Sequence, residues 1–214
     1  MIRVLFVVDG PRDHHIVPPL VIELLRAEID PETRVWTKLH LRGERVPKPF
    51  RGYAHKLRYA LTLARTRGLA AVVATVDTDR GAPRERLRKL REGRERDRQK
   101  HPPLPAALGE ANPHAEVWLL DDATAVREAL GLAPETNVPA VKYVEIPKEA
   151  LDQLVAQSTN ADQPSSTRDT PELLRSIAGR VQRDRCPHAK QTGFHAFAED
   201  VRTELGPLLT PAST

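Results

Sequence analysis

Three aspartates carry the first chemical signal in this chain. Asp9 follows the apolar run "IRVLFVV", and Asp77 and Asp79 close the run "LAAVVATV" in the stretch "VDTDRG". Two residues apart on extended backbone, Asp77 and Asp79 place their side chains on one side, about 6–7 Å apart. If the two runs are neighbouring strands, three carboxylates converge on one crevice. Carboxylates that close repel and raise one another's pKa unless a cation joins them. Mg²⁺ (or Mn²⁺) is the natural cation, hard and suited to carboxylate oxygen plus a substrate phosphate. The plainer reading is that Asp is common where strands meet loops, and Asp77 would equally cap a following helix.

The elements that would hold these acids alternate along the chain. Residues 2–8 form an apolar run interrupted only by Arg3, as in strands covered on both faces. "PPLVIELLRAEI" follows as a helix, with Leu20, Leu24 and Leu25 at helical spacing and its prolines acceptable only in a first turn. Residues 34–39, "RVWTKL", alternate like a strand. "GYAHKLRYALTLARTRG" is amphipathic, with Leu57, Ala60, Leu61 and Ala64 on one face and Gly68 at its end. With "LAAVVATV" as the next strand, the order β-α-β-α-β predicts an α/β fold: a Rossmann-like, mostly parallel sheet flanked by helices. In such sheets ligands bind outside the carboxyl ends of the strands, where these aspartates fall.

The segment after the aspartate pair is basic. Residues 84–100 hold nine basic and four acidic side chains, a net +5 against +4 for the whole chain, so the remainder sums to about −1. The segment reads as a helix from about Pro83, with Gly93 as a weak point. Its position favours a phosphate backbone tracked by Arg80, Arg84, Arg88 and Arg91, hence a nucleic-acid partner. A solvated helix with internal pairs such as Glu92–Arg96 explains the same charges.

Further on, "HAEVWLLDD" is a short apolar piece bounded by acids, and "ATAVREALGL" is a helix closed by Gly131. Residues 157–171 are polar and rich in Pro, Ser and Thr, and read as a loop or linker. Two amphipathic helices follow, the second with Phe194, Phe197, Val201 and Leu205 in one core stripe. This divides the chain into an α/β core over 1–156, a linker over 157–171, and C-terminal helices over 172–209 that pack on the core.

The 214 residues carry a net charge of +4 and a pI near 9.4. No run of about 18 apolar residues occurs, so no membrane span is expected. The opening "MIRVLFVVDG" reads as a first strand and not a signal peptide. Cys186 is the only cysteine, which precludes an internal disulfide and fits a cytoplasmic protein. Cys186, His188 and His195 are too irregularly spaced for a recognised zinc set. His14 and His15 read as loop residues near Asp9. Asp13 is either a further ligand or a helix cap, and Trp118 reads as a packing anchor ahead of a base-stacking platform.

Taken together, "VVDGPRD", "VDTDRG" and "AEVWLLDD" resemble the Toprim fold, and more narrowly the Toprim-like proteins of the DUF4276 group, related to the nuclease domains of OLD-type defence proteins. The group's third element, Pro-x-x-Glu-x-Trp-Leu-Leu-x-Asp, is matched by Pro113, Glu116, Trp118, Leu119, Leu120 and Asp122. "CPHAKQTGFHAFAEDVR" is similar to the group's closing helix, so the resemblance covers most of the chain. It implies a Mg²⁺-dependent nuclease, hydrolysing phosphodiesters through metal-activated water as part of a prokaryotic defence system. Asp9 would be the first acid, a general acid/base that also meets the metal. Asp77 and Asp79 would be the metal pair, and Glu116 an accessory catalytic acid.

Toprim enzymes normally have glutamate where Asp9 stands. Aspartate is one methylene shorter and sets its oxygens about 1.5 Å back. A catalytically degenerate domain that binds nucleic acid or protein is therefore the alternative. A haloacid-type phosphatase would need D-x-D directly after the first strand, where this chain has "DGPRD". OLD-type systems couple the nuclease to an ATPase. No G-x-x-x-x-G-K-[ST] occurs here, so an ATPase would be a separate partner chain.

Overall fold

The computed structural model describes residues 1–36, 52–78, 84–158 and 170–209. Asp79, Arg80 and residues 159–169 of the expected linker lie outside the described residues.

The most apolar run, β1 (Ile2–Val8), lies inside a four-stranded sheet. It pairs in parallel with β2 (Ile29–Val35) on one side and β3 (Ala71–Asp77) on the other, and β4 (Ala106–Ala111) extends the sheet beyond β3. The order is β2-β1-β3-β4, all parallel. The α/β class and the flanked parallel sheet expected from the sequence are what the chain adopts.

Alternate residues of the strands feed two cores. Val4, Phe6, Val8, Val73 and Ala107 face one layer, formed by α1 (Val17–Leu25), α4 (Glu116–Leu120), α5 (Ala123–Leu130), α6 (Pro147–Ala156), α7 (Thr170–Ala178) and α8 (Phe194–Leu205). Leu5, Val7, Val72, Ala74 and Leu108 face the other, formed by α2 (Tyr53–Thr66) and α3 (Glu85–Arg98). Burial on both faces explains why β1 and β3 read as continuous apolar runs.

Two strands depart from the sequence reading. The second strand was expected over 34–39 from alternation; β2 occupies Ile29–Val35, and residues 37–39 lie outside the described residues. Among the described residues it is an edge strand paired only with β1, where Asp30, Pro31 and Glu32 are tolerated. β4, "AALGEA", has no alternation and no β-branched residue, and nothing local marks it as a strand. All six of its residues are nonetheless buried, because β3 supplies its hydrogen bonds and helices cover both faces.

Gly93 is not a weak point. α3 runs through it without interruption, and a Cβ there would stand 2.5 Å from the Ala54 carbonyl oxygen. The glycine lets α2 and α3 approach closely. Gly109 does the same for α8: a Cβ would lie 2.6 Å from Cδ2 of Phe197. The expected stripe of Phe194, Phe197, Val201 and Leu205 is fully buried. Phe197 stacks on Trp118 at 4.9 Å between ring centroids, and the indole N–H of Trp118 donates to the Thr192 carbonyl at 2.8 Å. Trp118 is thus a packing anchor.

Candidate functional site

β1 and β3 are where the connections diverge. The chain leaves β1 for β2 on one side and returns to β3 on the other, the arrangement that opens a crevice at the carboxyl ends of a parallel sheet. Val7 pairs with Ala74, so Asp9 and Asp77, two and three residues on, leave the sheet side by side. The Asp77 backbone N–H donates to Asp9 Oδ2 at 2.8 Å. Tyr53, opening α2, donates its hydroxyl to Asp9 Oδ1 at 3.4 Å. Arg86, in the first turn of α3, lies 3.5 Å from Asp9 Oδ2 and donates to the Asp77 carbonyl at 2.7 Å.

Asp77 does not cap α3. Its Oδ2 faces His114 Nδ1 at 3.0 Å, and the amides at the start of α3 are taken by Glu110 of β4. Arg84 N–H donates to Glu110 Oε2 at 2.6 Å and Leu87 N–H to Oε1 at 3.4 Å. Thr78 ties the loop to the end of β4, donating both its N–H (2.8 Å) and its hydroxyl (2.9 Å) to the Ala111 carbonyl.

Two further acids enter the crevice from the α1 side of the sheet. Asp13 is the one buried residue of a single turn over Arg12–His15, and its Oδ2 accepts from Gly10 N–H at 2.9 Å. It does not cap α1, whose N-cap is Ile16 with no side-chain bond. Glu116 opens α4 and is 2% exposed. Arg12 Nε stands 3.1 Å from its Oε1 and also pairs with Asp152 of α6, though the Nε–Oε1 contact lacks hydrogen-bond alignment.

Burial and mutual repulsion show in the protonation of these acids. Asp13 is pushed up to about 7, first by desolvation, then by the charges of Asp77, Glu116 and Asp9, against the Gly10 hydrogen bond. Asp77 is raised to about 6 by desolvation, with Asp9 and Glu116 adding to the rise and His114 opposing it. Two carboxyls of one crevice thus titrate near neutrality, the condition for exchanging protons with water or releasing them to a cation.

The basic helix divides into three roles. Arg94 pairs with Asp200 and Glu204, and Arg98 with Glu204, fastening α3 to α8. Arg88 and Arg96 pair with Glu92, as the solvated-helix reading expected of Glu92–Arg96. Arg84 and Arg91 instead line an open cavity beside the acids. Arg86, Tyr53, His114 and Glu110 were not singled out in the sequence. Arg86 sits among look-alike arginines, and only the helix register aims it at Asp9.

Other candidates are structural. Asp122 accepts from Ala125 and Gln182 backbone N–H and from Arg185 Nε. Asp121 accepts from the backbone N–H of His188 and pairs with its ring, and burial raises its pKa. Cys186 is buried, which raises its thiol, and donates to the Gln182 carbonyl.

Carboxylate oxygens are the donors a hard divalent cation takes, and the raised Asp13 and Asp77 are acids that a cation would relieve. Among the described residues, no three His, Cys, Asp or Glu side chains form a metal-holding group. Asp9 and Asp77 therefore supply two neighbouring carboxylates, and the third acid of the expected set, Asp79, lies outside the described residues.

These features define a class, an open parallel α/β domain with a carboxylate-lined crevice at its switch point. No protein-family model and no curated protein matches the chain. Among solved structures, it is similar to the C-terminal region of the Burkholderia pseudomallei OLD protein, at 12% identity and a TM-score of 0.39, over 92% of this chain and 98% of that one. No helix among the described residues is long and apolar enough to cross a membrane.

Proposed function

We propose that this chain is a Toprim-like, Mg²⁺- or Mn²⁺-dependent nuclease of the DUF4276 type, acting on nucleic acid in a defence role with an ATPase on a separate chain. One observation carries the catalytic core of the reading: Asp9 and Asp77 emerge side by side from adjacent parallel strands. Asp9 and Asp77, with Asp79, would hold the cation. Such a cation supplies an activated water and polarises the scissile phosphate. Arg86 would hold Asp9 and set positive charge at the crevice. His114 would keep Asp77 ionised, and Arg12 would orient Glu116.

The second reading, a non-catalytic nucleic-acid- or protein-binding domain, is favoured by one feature. The Asp9 carboxylate is already engaged by Asp77 N–H, Tyr53 and Arg86.

The test is calorimetric titration with Mg²⁺ and Mn²⁺, followed by cleavage assays on plasmid, linear and single-stranded DNA and on RNA. Asp77→Ala/Asp79→Ala is the control. Metal-dependent cleavage lost in the control supports the nuclease. Metal binding with no cleavage moves the assignment to the binding domain, and no metal binding ends the metal reading.

A further inference from the structure

The cavity beside the acids differs from the rest of the α3 surface. It has a volume of about 570 Å³ and lies between the first two turns of α3, the end of β4 and the loop before α8. Arg84, the residue that precedes α3 with φ 71°, and Arg91, in its second turn, both line it. Lys190 reaches it from the opposite wall, a hundred residues away in sequence. All three are exposed, and among the described residues no ion pair engages them. Their neighbours Arg88, Arg94, Arg96 and Arg98 are all paired with carboxylates. The one carboxylate among the described residues lining the cavity is Glu110, which is bonded to the amides of Arg84 and Leu87.

A cavity lined by cations from separate segments, none of them paired with a carboxylate among the described residues, carries positive potential and favours an anion. The two sites adjoin, because Thr78 lines the cavity and directly follows Asp77. One residue of chain spans about 3.8 Å. With a cation on the acids, a ligand reaching both would present one phosphate to that cation and another to Arg84, Arg91 and Lys190.

We infer that Arg84, Arg91 and Lys190 form a backbone-phosphate subsite for a nucleic-acid strand whose neighbouring phosphate lies over Asp9 and Asp77. The ligand's identity rests on the nuclease reading; the cation cluster does not. Arginine supplies a forked donor for phosphate oxygens and lysine a compact charge. Binding is to the backbone, so it is indifferent to sequence. It also couples the C-terminal segment to the substrate through Lys190.

The test is fluorescence anisotropy of a short labelled thymidylate strand in EDTA over a salt series. The proteins are the wild type, Arg84→Ala/Arg91→Ala, Lys190→Ala, Lys190→Arg and Arg96→Ala. Lys190→Ala is expected to weaken binding about fivefold and to lower the log–log salt slope by about 0.7. Lys190→Arg should restore most of both, the double variant should lose more, and Arg96→Ala, already paired with Glu92, should match wild type. The inference is overturned if wild type does not bind the strand, if Lys190→Ala matches wild type, or if Arg96→Ala loses as much. It is also overturned if thymidine monophosphate binds as tightly as the strand, which marks a free-nucleotide site. EDTA removes the metal, so failure here and failure of metal-dependent cleavage are separate results.

Discussion

The backbone N–H of Asp77 donates to the carboxylate of Asp9 at 2.8 Å, across the junction of β1 and β3. The first acid of the site thereby closes the end of the sheet as well as facing the crevice. A short side chain suits this double role. Asp9→Asn keeps an acceptor for the Asp77 amide and removes the charge, whereas Asp9→Ala leaves that amide unpaired. Asp9→Ala should cost about 1–2 kcal/mol in urea unfolding and Asp9→Asn less. On the proposed metal role, both should also weaken Mg²⁺ at least about tenfold, one factor of ten being about 1.4 kcal/mol. Equal stability of the two variants would contradict the closing role.

The buried carboxyl of Asp13 makes a prediction about pH and stability. Its pKa is about 7 in the folded protein against 3.8 unperturbed. Below the lower value both states hold the proton and the group contributes nothing. Between the two values the unfolded chain ionises while the folded one does not, so stability falls as pH rises, levelling off above about 7. Asp77 acts in the same direction up to about pH 6. Asp13→Asn mimics the protonated acid and can still accept from Gly10. It should match wild type near pH 4 and exceed it at pH 8, by up to on the order of 4 kcal/mol at about 1.4 per unit. Unfolding curves at the two pH values that differ by the same amount would contradict it.

His114 holds the Asp77 carboxyl down against desolvation. His114→Ala should raise Asp77 above about 6, so that, on the proposed metal role, a proton would compete with the cation near neutrality. Mg²⁺ affinity should fall several-fold at pH 6.5 and recover at pH 8, as read by calorimetry. An affinity loss equal at both pH values would mean that His114 acts only by position.

The close approach of β4 and α8 at Gly109 and Phe197 predicts a packing cost. Gly109→Val should destabilise the protein by about 1–3 kcal/mol, because even its Cβ would meet the Phe197 ring. Combining it with Phe197→Leu should recover part of the loss, a non-additivity that a double-mutant cycle reads directly. Strict additivity would show that the two residues do not meet.

Much of the scaffold was legible before the structure. β1 and β3 announce themselves because strands buried on both faces must be apolar throughout, and Asp9 and Asp77 are visible as the acids that stop them. The helical stripe of Phe194, Phe197, Val201 and Leu205 is equally local, since a helix face repeats within one turn. β4 was not legible. "AALGEA" is a strand only because β3 offers it hydrogen bonds and Phe197 fits over its glycine.

The aspartates at the strand ends, the parallel α/β class and the basic helix after the acids were determined by sequence alone, through patterns that repeat over a few residues. Tertiary structure decided which groups meet. It brought His114 to Asp77, 37 residues away, and Arg86 to Asp9, 77 residues away, and it drew Asp13 and Glu116 into one electrostatic cluster. It also divided the arginines of the basic segment into those fastened to Asp200 and Glu204, those paired with Glu92, and Arg84 and Arg91, which line a cavity with Lys190. Charge and hydrogen-bond partners are set by distance in space, and spacing along the chain carries no record of that distance between segments so far apart.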